Sequence, residues 1–117
     1  MANPNIASAS SIIGNTGVAT LTTSLATLFT VPSNTVYKVN SVSVANKTTS
    51  AATVDLTVSI DGTNDFFLAN DINVPGATTL IILTKDQSIY VPETGKMKAL
   101  SSAGTTLDIV YSYEAIS

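Results

Sequence analysis

The sequence predicts an all-β domain: an antiparallel β-sandwich, jelly-roll-like or alternatively immunoglobulin-like in topology. Three observations carry this. Strand-forming segments recur at short, even spacing, turn residues separate them, and two stretches alternate apolar and polar residues with a period of two. At 117 residues the chain fits one domain with one core. Charged residues make up only 11%, against about 25% in an average soluble domain. Thr, Ser and Asn take the polar positions instead, and Thr, branched at Cβ, packs well on a pleated surface. A surface of hydroxyls and amides suits ordinary strand faces, and it equally suits a protein docked on a larger particle.

Residues 1–10, MANPNIASAS, hold one bulky aliphatic residue, Ile6, besides Met1. Such a segment cannot anchor itself by burial, and it reads either as a frayed terminus or as an extended arm that adds a strand to a neighbour's sheet edge. In the second reading Asn3, Pro4, Asn5 and Ile6 make the contact, and residues 11–117 form the sandwich domain. Strands are expected near 8–13 and 18–23, with Gly14-Asn15-Thr16-Gly17 as the turn between them. A strand near 26–31 ends at Val31-Pro32-Ser33-Asn34, and strands near 35–45, 53–60 and 66–71 follow. Beyond Val74-Pro75-Gly76 come strands near 78–84 and 88–91. Pro92-Glu93-Thr94-Gly95 and Ser102-Ala103-Gly104 then delimit the last two, near 97–101 and 106–114. Leu21, Leu25 and Leu28 come close to helical spacing, but they sit among Thr residues that favour extended chain.

Alternation is clearest in two segments. Val54, Leu56, Val58 and Ile60 share one side, opposite Asp55, Thr57 and Ser59. Leu107, Ile109, Tyr111 and Tyr113 share another, opposite Asp108, Ser112 and Glu114. Such patterns mark strands with one face on a core and one on solvent, as antiparallel sheets have. In 35–45 the phase changes: Tyr37 and Val39 lie on one parity, Val42 and Val44 on the other. A β-bulge produces that switch, and so does a strand crossing between layers.

The chemistry available is narrow. The chain has no His and no Cys, which removes the common general base, the common metal ligand and the thiolate nucleophile. No G-x-S-x-G elbow activates a Ser, and the glycines form no phosphate-binding fingerprint. No enzyme activity and no cofactor are expected. The five cations are all Lys and the net charge is −3, so the basic, Arg-bearing stripe of a nucleic-acid binder is missing. The longest apolar run, Leu80-Ile81-Ile82-Leu83, falls far short of the ~20 residues of a membrane helix. The N-terminus lacks the basic region and apolar core of a signal peptide, so folding in a cytoplasm is the expectation.

TVDLTVSIDGTNDFFLAND, residues 53–71, concentrates four of the eight carboxylates: Asp55, Asp61, Asp65 and Asp71. A hydrolytic pair needs a cleft and one desolvated acid, whereas Asp55 alternates outward from an apolar face. Asp61-Gly62 is a turn dipeptide. As a calcium loop, DGTND has its Gly in second place and lacks a terminal bidentate Glu. The favoured reading is a hairpin, 53–60 returning through 66–71, with a calcium site at Asp61 and Asp65 as the alternative. Asn46-Lys47-Thr48 matches a glycosylation sequon and is read as a chance match.

Aromatic residues number seven, and Phe66 and Phe67 are adjacent. In a strand they face opposite ways, so one fills the core while the other is exposed or covered by a partner, unless the strand is buried on both sides. Tyr111 and Tyr113 are expected at the core margin with hydroxyls outward.

The tail TKDQSIYVPETGKMKALSSAGTTLDIVYSYEAIS resembles the end of small virion structural proteins of tailed phages, especially those infecting cyanobacteria. The shared parts are Val74-Pro75, Thr79 to Leu83, Lys85-Asp86, Ile89-Tyr90, Glu93 to Gly95 and Ser112-Tyr113-Glu114. VPSNTVYKVNSVSVAN and the MANPNI start are similar too, so the resemblance spans most of the chain. Where that family often ends Tyr-Glu-Glu-Ile, this chain has Ala115. The resemblance implies a non-enzymatic, particle-bound protein, favoured here as a capsid decoration (cement) protein on the outer head shell. Its expected partners are the major capsid protein or other virion proteins, with a homo-oligomer, trimer or dimer, as the assembled form. The expected location is the virion. Neck, tail or fibre subunits and a carbohydrate-binding module are the alternatives. Within this reading Phe66 and Phe67, with the arm, are the expected partner contacts.

Overall fold

Strand-forming residues and the breaks between them resolve into two antiparallel sheets facing each other across one core. The computed structural model describes residues 10–117. Among them nine strands follow in order: β1 (Ile12–Thr20), β2 (Ala26–Thr30), β3 (Val36–Asn46), β4 (Ala52–Ser59), β5 (Phe66–Val74), β6 (Thr79–Leu83), β7 (Ile89–Val91), β8 (Lys96–Ser101) and β9 (Leu107–Ile116). A 3₁₀ turn at Lys85–Gln87 joins β6 to β7. One sheet runs β1-β9-β3-β6, with β7 also on β3, and the other runs β2-β8-β4-β5.

The pairings β1 with β9, β2 with β8, β3 with β6 and β4 with β5 nest inside one another. The chain is therefore one long hairpin rolled over a core, which is the jelly-roll arrangement. An immunoglobulin-like sandwich sets its first two strands side by side in one sheet, whereas β1 and β2 lie in different sheets here. Alternation left the two topologies open, and strand neighbours separate them.

The core is built from the inward parity of both sheets. Val39, Val42, Val44, Leu107 and Ile109 meet Val54, Leu56, Val74, Met97 and Ala99, all fully or almost fully buried. Each large aliphatic side chain placed there contributes on the order of 1.5–3 kcal/mol by leaving water. Pairing of β3 with β9 steps from Val39↔Tyr113 to Ser41↔Ser112, so Asn40 is an extra residue. That bulge is the cause of the parity switch in the sequence, and it lets Val39 and Val42 both reach the core.

Three expectations change. The turn expected at Gly14-Asn15-Thr16-Gly17 is absent, and β1 passes straight through it with unbroken register against β9. Gly17 is opposite Tyr111, whose ring occupies the space a Cβ on Gly17 would need. The glycine serves a close approach in an extended strand, not a reversal of the chain.

In β4, Val54, Leu56 and Val58 take the core side as expected, but Thr57 and Ser59 are buried too, while Ile60 is 49% exposed. Ile60 lies beyond the strand end. Thr57 sits between its register partners Phe67 and Lys98, and the Ser59 hydroxyl donates to Asp61 Oδ1 at 3.2 Å.

Nor does the Tyr111 hydroxyl point outward: it donates to the Leu28 carbonyl at 3.1 Å, tying β9 to β2 in the opposite sheet. The tyrosines close one end of the core with Phe29. Ring centroids are 4.6 Å apart for Tyr37 and Tyr113, 5.0 Å for Phe29 and Tyr37, and 5.8 Å for Phe29 and Tyr111. Burial first, and then the neighbouring Tyr113, raises the pKa of Tyr37 and Tyr111.

Candidate docking surfaces

The acidic segment is a hairpin. β4 and β5 pair antiparallel through Thr57↔Phe67 and Val58↔Phe66, and residues 60–65 connect them. Gly62 has φ +82°, the left-handed conformation that glycine adopts at no steric cost. Asp61 Oδ1 accepts from the Thr63 and Asn64 amides, each at 2.8 Å, and Oδ2 accepts from Asn64 Nδ2 at 2.8 Å. These bonds hold the Asp61 carboxyl far below the usual carboxylate range.

Asp65 pairs with Lys98 at 3.2 Å, and Asp55 Oδ1 accepts from the Asp71 amide at 2.6 Å. Three of the four carboxylates thus hold backbone or a lysine. Among the described residues, no three acidic side chains gather as a metal-binding group. Asn46 of the sequon is buried: its amide donates to the Ser50 and Val74 carbonyls, and its Oδ1 accepts from the Thr48 amide. It pins the loop between β3 and β4.

Phe66 and Phe67 begin β5, an edge strand of the second sheet. Their register places Phe66 on the side of Val58 and Phe67 on the side of Thr57, so they do face opposite ways. Neither fills the core: they are 64% and 59% exposed. At the sheet's margin the inward position of Phe66 opens to solvent, which local alternation cannot register. Asn3, Pro4, Asn5 and Ile6 lie outside the described residues.

A larger surface is the outer face of the first sheet. Its residues line up across the strands in rows set by register. Val18, Val110, Ser43 and Ile81 form one row across β1, β9, β3 and β6. Thr16, Ser112 and Ser41 form the next, the two serine hydroxyls sharing a 2.7 Å hydrogen bond. Val18 and Ile81 are 72% and 63% exposed.

Neither row contains a charge. Charges sit on the flanking rows. On one side Lys47 Nζ lies 3.1 Å from Asp108, which also accepts from the Thr20 hydroxyl at 2.8 Å. The Thr20 bond first, then Lys47, holds the Asp108 carboxyl below its ordinary pKa. On the other side Lys38 faces Glu114 at 4.0 Å. A shallow apolar depression of about 320 Å³ lies along Val18, Ala19, Thr20, Asp108, Ile109 and Val110. An uncharged centre with charges at its margin is the anatomy of protein–protein interfaces. The sequence carried only a partial signal: Val18, Val110 and Ile81 are aliphatic residues on the outward parity, but their alignment depends on which strands are neighbours.

No known protein-family model matches the chain, and no curated protein matches it. Among solved structures, it is similar to a chain in the structure of infectious bursal disease virus, Gx strain, at 13% identity and a TM-score of 0.51, over 92% of this chain and 33% of that one. A second similar structure is a pentameric capsid protein isolated from metagenomic phage sequences, at 18% identity and a TM-score of 0.40, over 87% of this chain and 62% of that one. The chain therefore spans about a third of the first and less than two thirds of the second. What the first likeness shows is a shared β-sandwich fold.

Proposed function

We propose that the protein is a non-enzymatic structural subunit of a virus particle, a capsid decoration protein bound to the outer surface of the head shell. The observation that carries this reading is the outer face of the first sheet, whose two central rows are uncharged and expose Val18, Val110 and Ile81. Support also comes from the fold shared with a chain of a virus structure and from the resemblance of the β6 to β9 segment to phage virion proteins. Phe66 and Phe67 on the β5 edge, with Asn3, Pro4, Asn5 and Ile6 of the terminal segment, are assigned as further contacts.

A decoration protein binds the assembled lattice and not the separated subunits, so mass action raises the stability of the shell. Binding of the purified protein to undecorated capsids tests the assignment. Saturable binding that is lost in the Val110→Lys variant supports it. Failure of the wild-type protein to bind capsids, or a clear sugar hit on a glycan array, moves the protein to another class.

A further inference from the structure

We infer that β1 is a self-pairing edge, and that two copies of this chain join antiparallel through it, fusing their first sheets into one continuous sheet. The inference is independent of the particle on which the protein acts.

An edge strand presents unpaired backbone donors and acceptors, and stable proteins guard such edges with shortness, bulges, charge or proline. Most edges of this molecule are guarded. β2 has five residues and a register shift between Thr27 and Phe29. β5 shifts register twice against β4, and it carries Asp71 at φ +50°. β6 has five residues and β7 three, with the 3₁₀ turn between them. β1 is the exception: nine residues, unbroken in register, without a charge and without a proline. Among the described residues it pairs with β9 alone.

The direction of its free groups follows from the hydrogen bonds at its two ends. Ser11 and Ser117 exchange both backbone bonds at 2.9 Å, and the Leu21 amide donates to the Leu107 carbonyl at 2.8 Å. Both anchor residues are odd-numbered, and the register between them is continuous. In an antiparallel ladder hydrogen-bonded and non-hydrogen-bonded pairs alternate. The odd residues of β1 therefore face β9, and Ile12, Gly14, Thr16, Val18 and Thr20 direct their N–H and C=O groups to the open edge.

A second copy is the occupant these groups fit. A two-fold axis through Asn15 sets Ile12 against Val18 of the partner, and Gly14 against its Thr16. All four are outward-facing residues of matching parity. The register makes about eight backbone hydrogen bonds across the axis and joins two exposed aliphatic side chains at each end of the ladder. No charge faces a charge. Asn15 meets its own copy as a non-hydrogen-bonded pair, with Cα atoms about 4.5 Å apart, within reach of a disulfide.

Analytical ultracentrifugation of the full chain and its variants tests this. The wild type is expected to sediment as a dimer at tens of micromolar. Thr16→Pro removes an amide that faces away from β9, so it is expected to give a folded monomer. Val18→Lys, a charge on the edge, is expected to do the same while preserving the proline-free ladder. The chain has no native cysteine, and Asn15→Cys is expected to form a covalent dimer on oxidation. The inference is overturned by a wild type that stays monomeric, by a dimer that survives both Thr16→Pro and Val18→Lys, or by a dimer in which Asn15→Cys fails to cross-link.

Discussion

The ring of Tyr111 lies across Gly17, its register partner on the neighbouring strand, and the Tyr111 hydroxyl donates to the Leu28 carbonyl of the opposite sheet at 3.1 Å. One side chain thereby fills the gap left by a glycine and links the two layers. Any Cβ at position 17 meets the ring. Gly17→Ala is expected to lower stability by about 1–3 kcal/mol through overpacking, measured by urea unfolding. In a Tyr111→Leu background the same substitution should cost less, because the two sites are in contact and their effects do not add.

The Asn46 side chain bonds the Ser50 carbonyl and the Thr48 amide and hydroxyl in the β3–β4 loop, and the Val74 carbonyl at the end of β5. Asn46→Ala leaves the Ser50 and Val74 carbonyls and the Thr48 amide without this partner. The expected loss is about 1–3 kcal/mol, read from the urea midpoint at unchanged slope.

Asp61 predicts an acid limb of stability. Its folded pKa is depressed, mainly by the Asn64 and Thr63 amides, so its contribution is fully present above the unfolded value of about 3.9. That contribution is lost as pH falls from there through the lower folded pKa. Asp61→Asn keeps an acceptor oxygen for the turn but no titrating group. Thermal melts from pH 7 to pH 2 should therefore fall less steeply below pH 4 for the variant than for the wild type.

Phe66 and Phe67 are expected to matter for binding and little for folding. Phe66→Ser and Phe67→Ser should each change stability by under about 1 kcal/mol, as exposed substitutions do, and each should weaken binding to particles. Unfolding curves paired with a particle co-sedimentation assay separate the two effects, and unchanged binding in the double variant would remove these residues from the contact.

What could be read from the sequence was local. The β4–β5 hairpin was legible because alternation and Asp61-Gly62 act within a few residues, and the Asn40 bulge was legible as a change of parity. The continuity of β1 was not, because a glycine that makes a turn and a glycine that admits a neighbour's ring look the same in one dimension. The exposure of both Phe66 and Phe67 follows from the edge position of β5, and edges are decided by sheet order. The same holds for the row Val18, Val110, Ser43 and Ile81: four residues from four strands, aligned only once the hairpin has rolled up.

The most direct measurement is the position of this chain on an intact virion, by cryo-electron microscopy with mass-spectrometric quantification. Density of the jelly roll at repeated positions of the outer head lattice, the Val18–Val110–Ile81 face turned toward the shell, is the expected result. Absence from the particle, or a few copies confined to the neck or tail, would refute assignment as a capsid decoration protein.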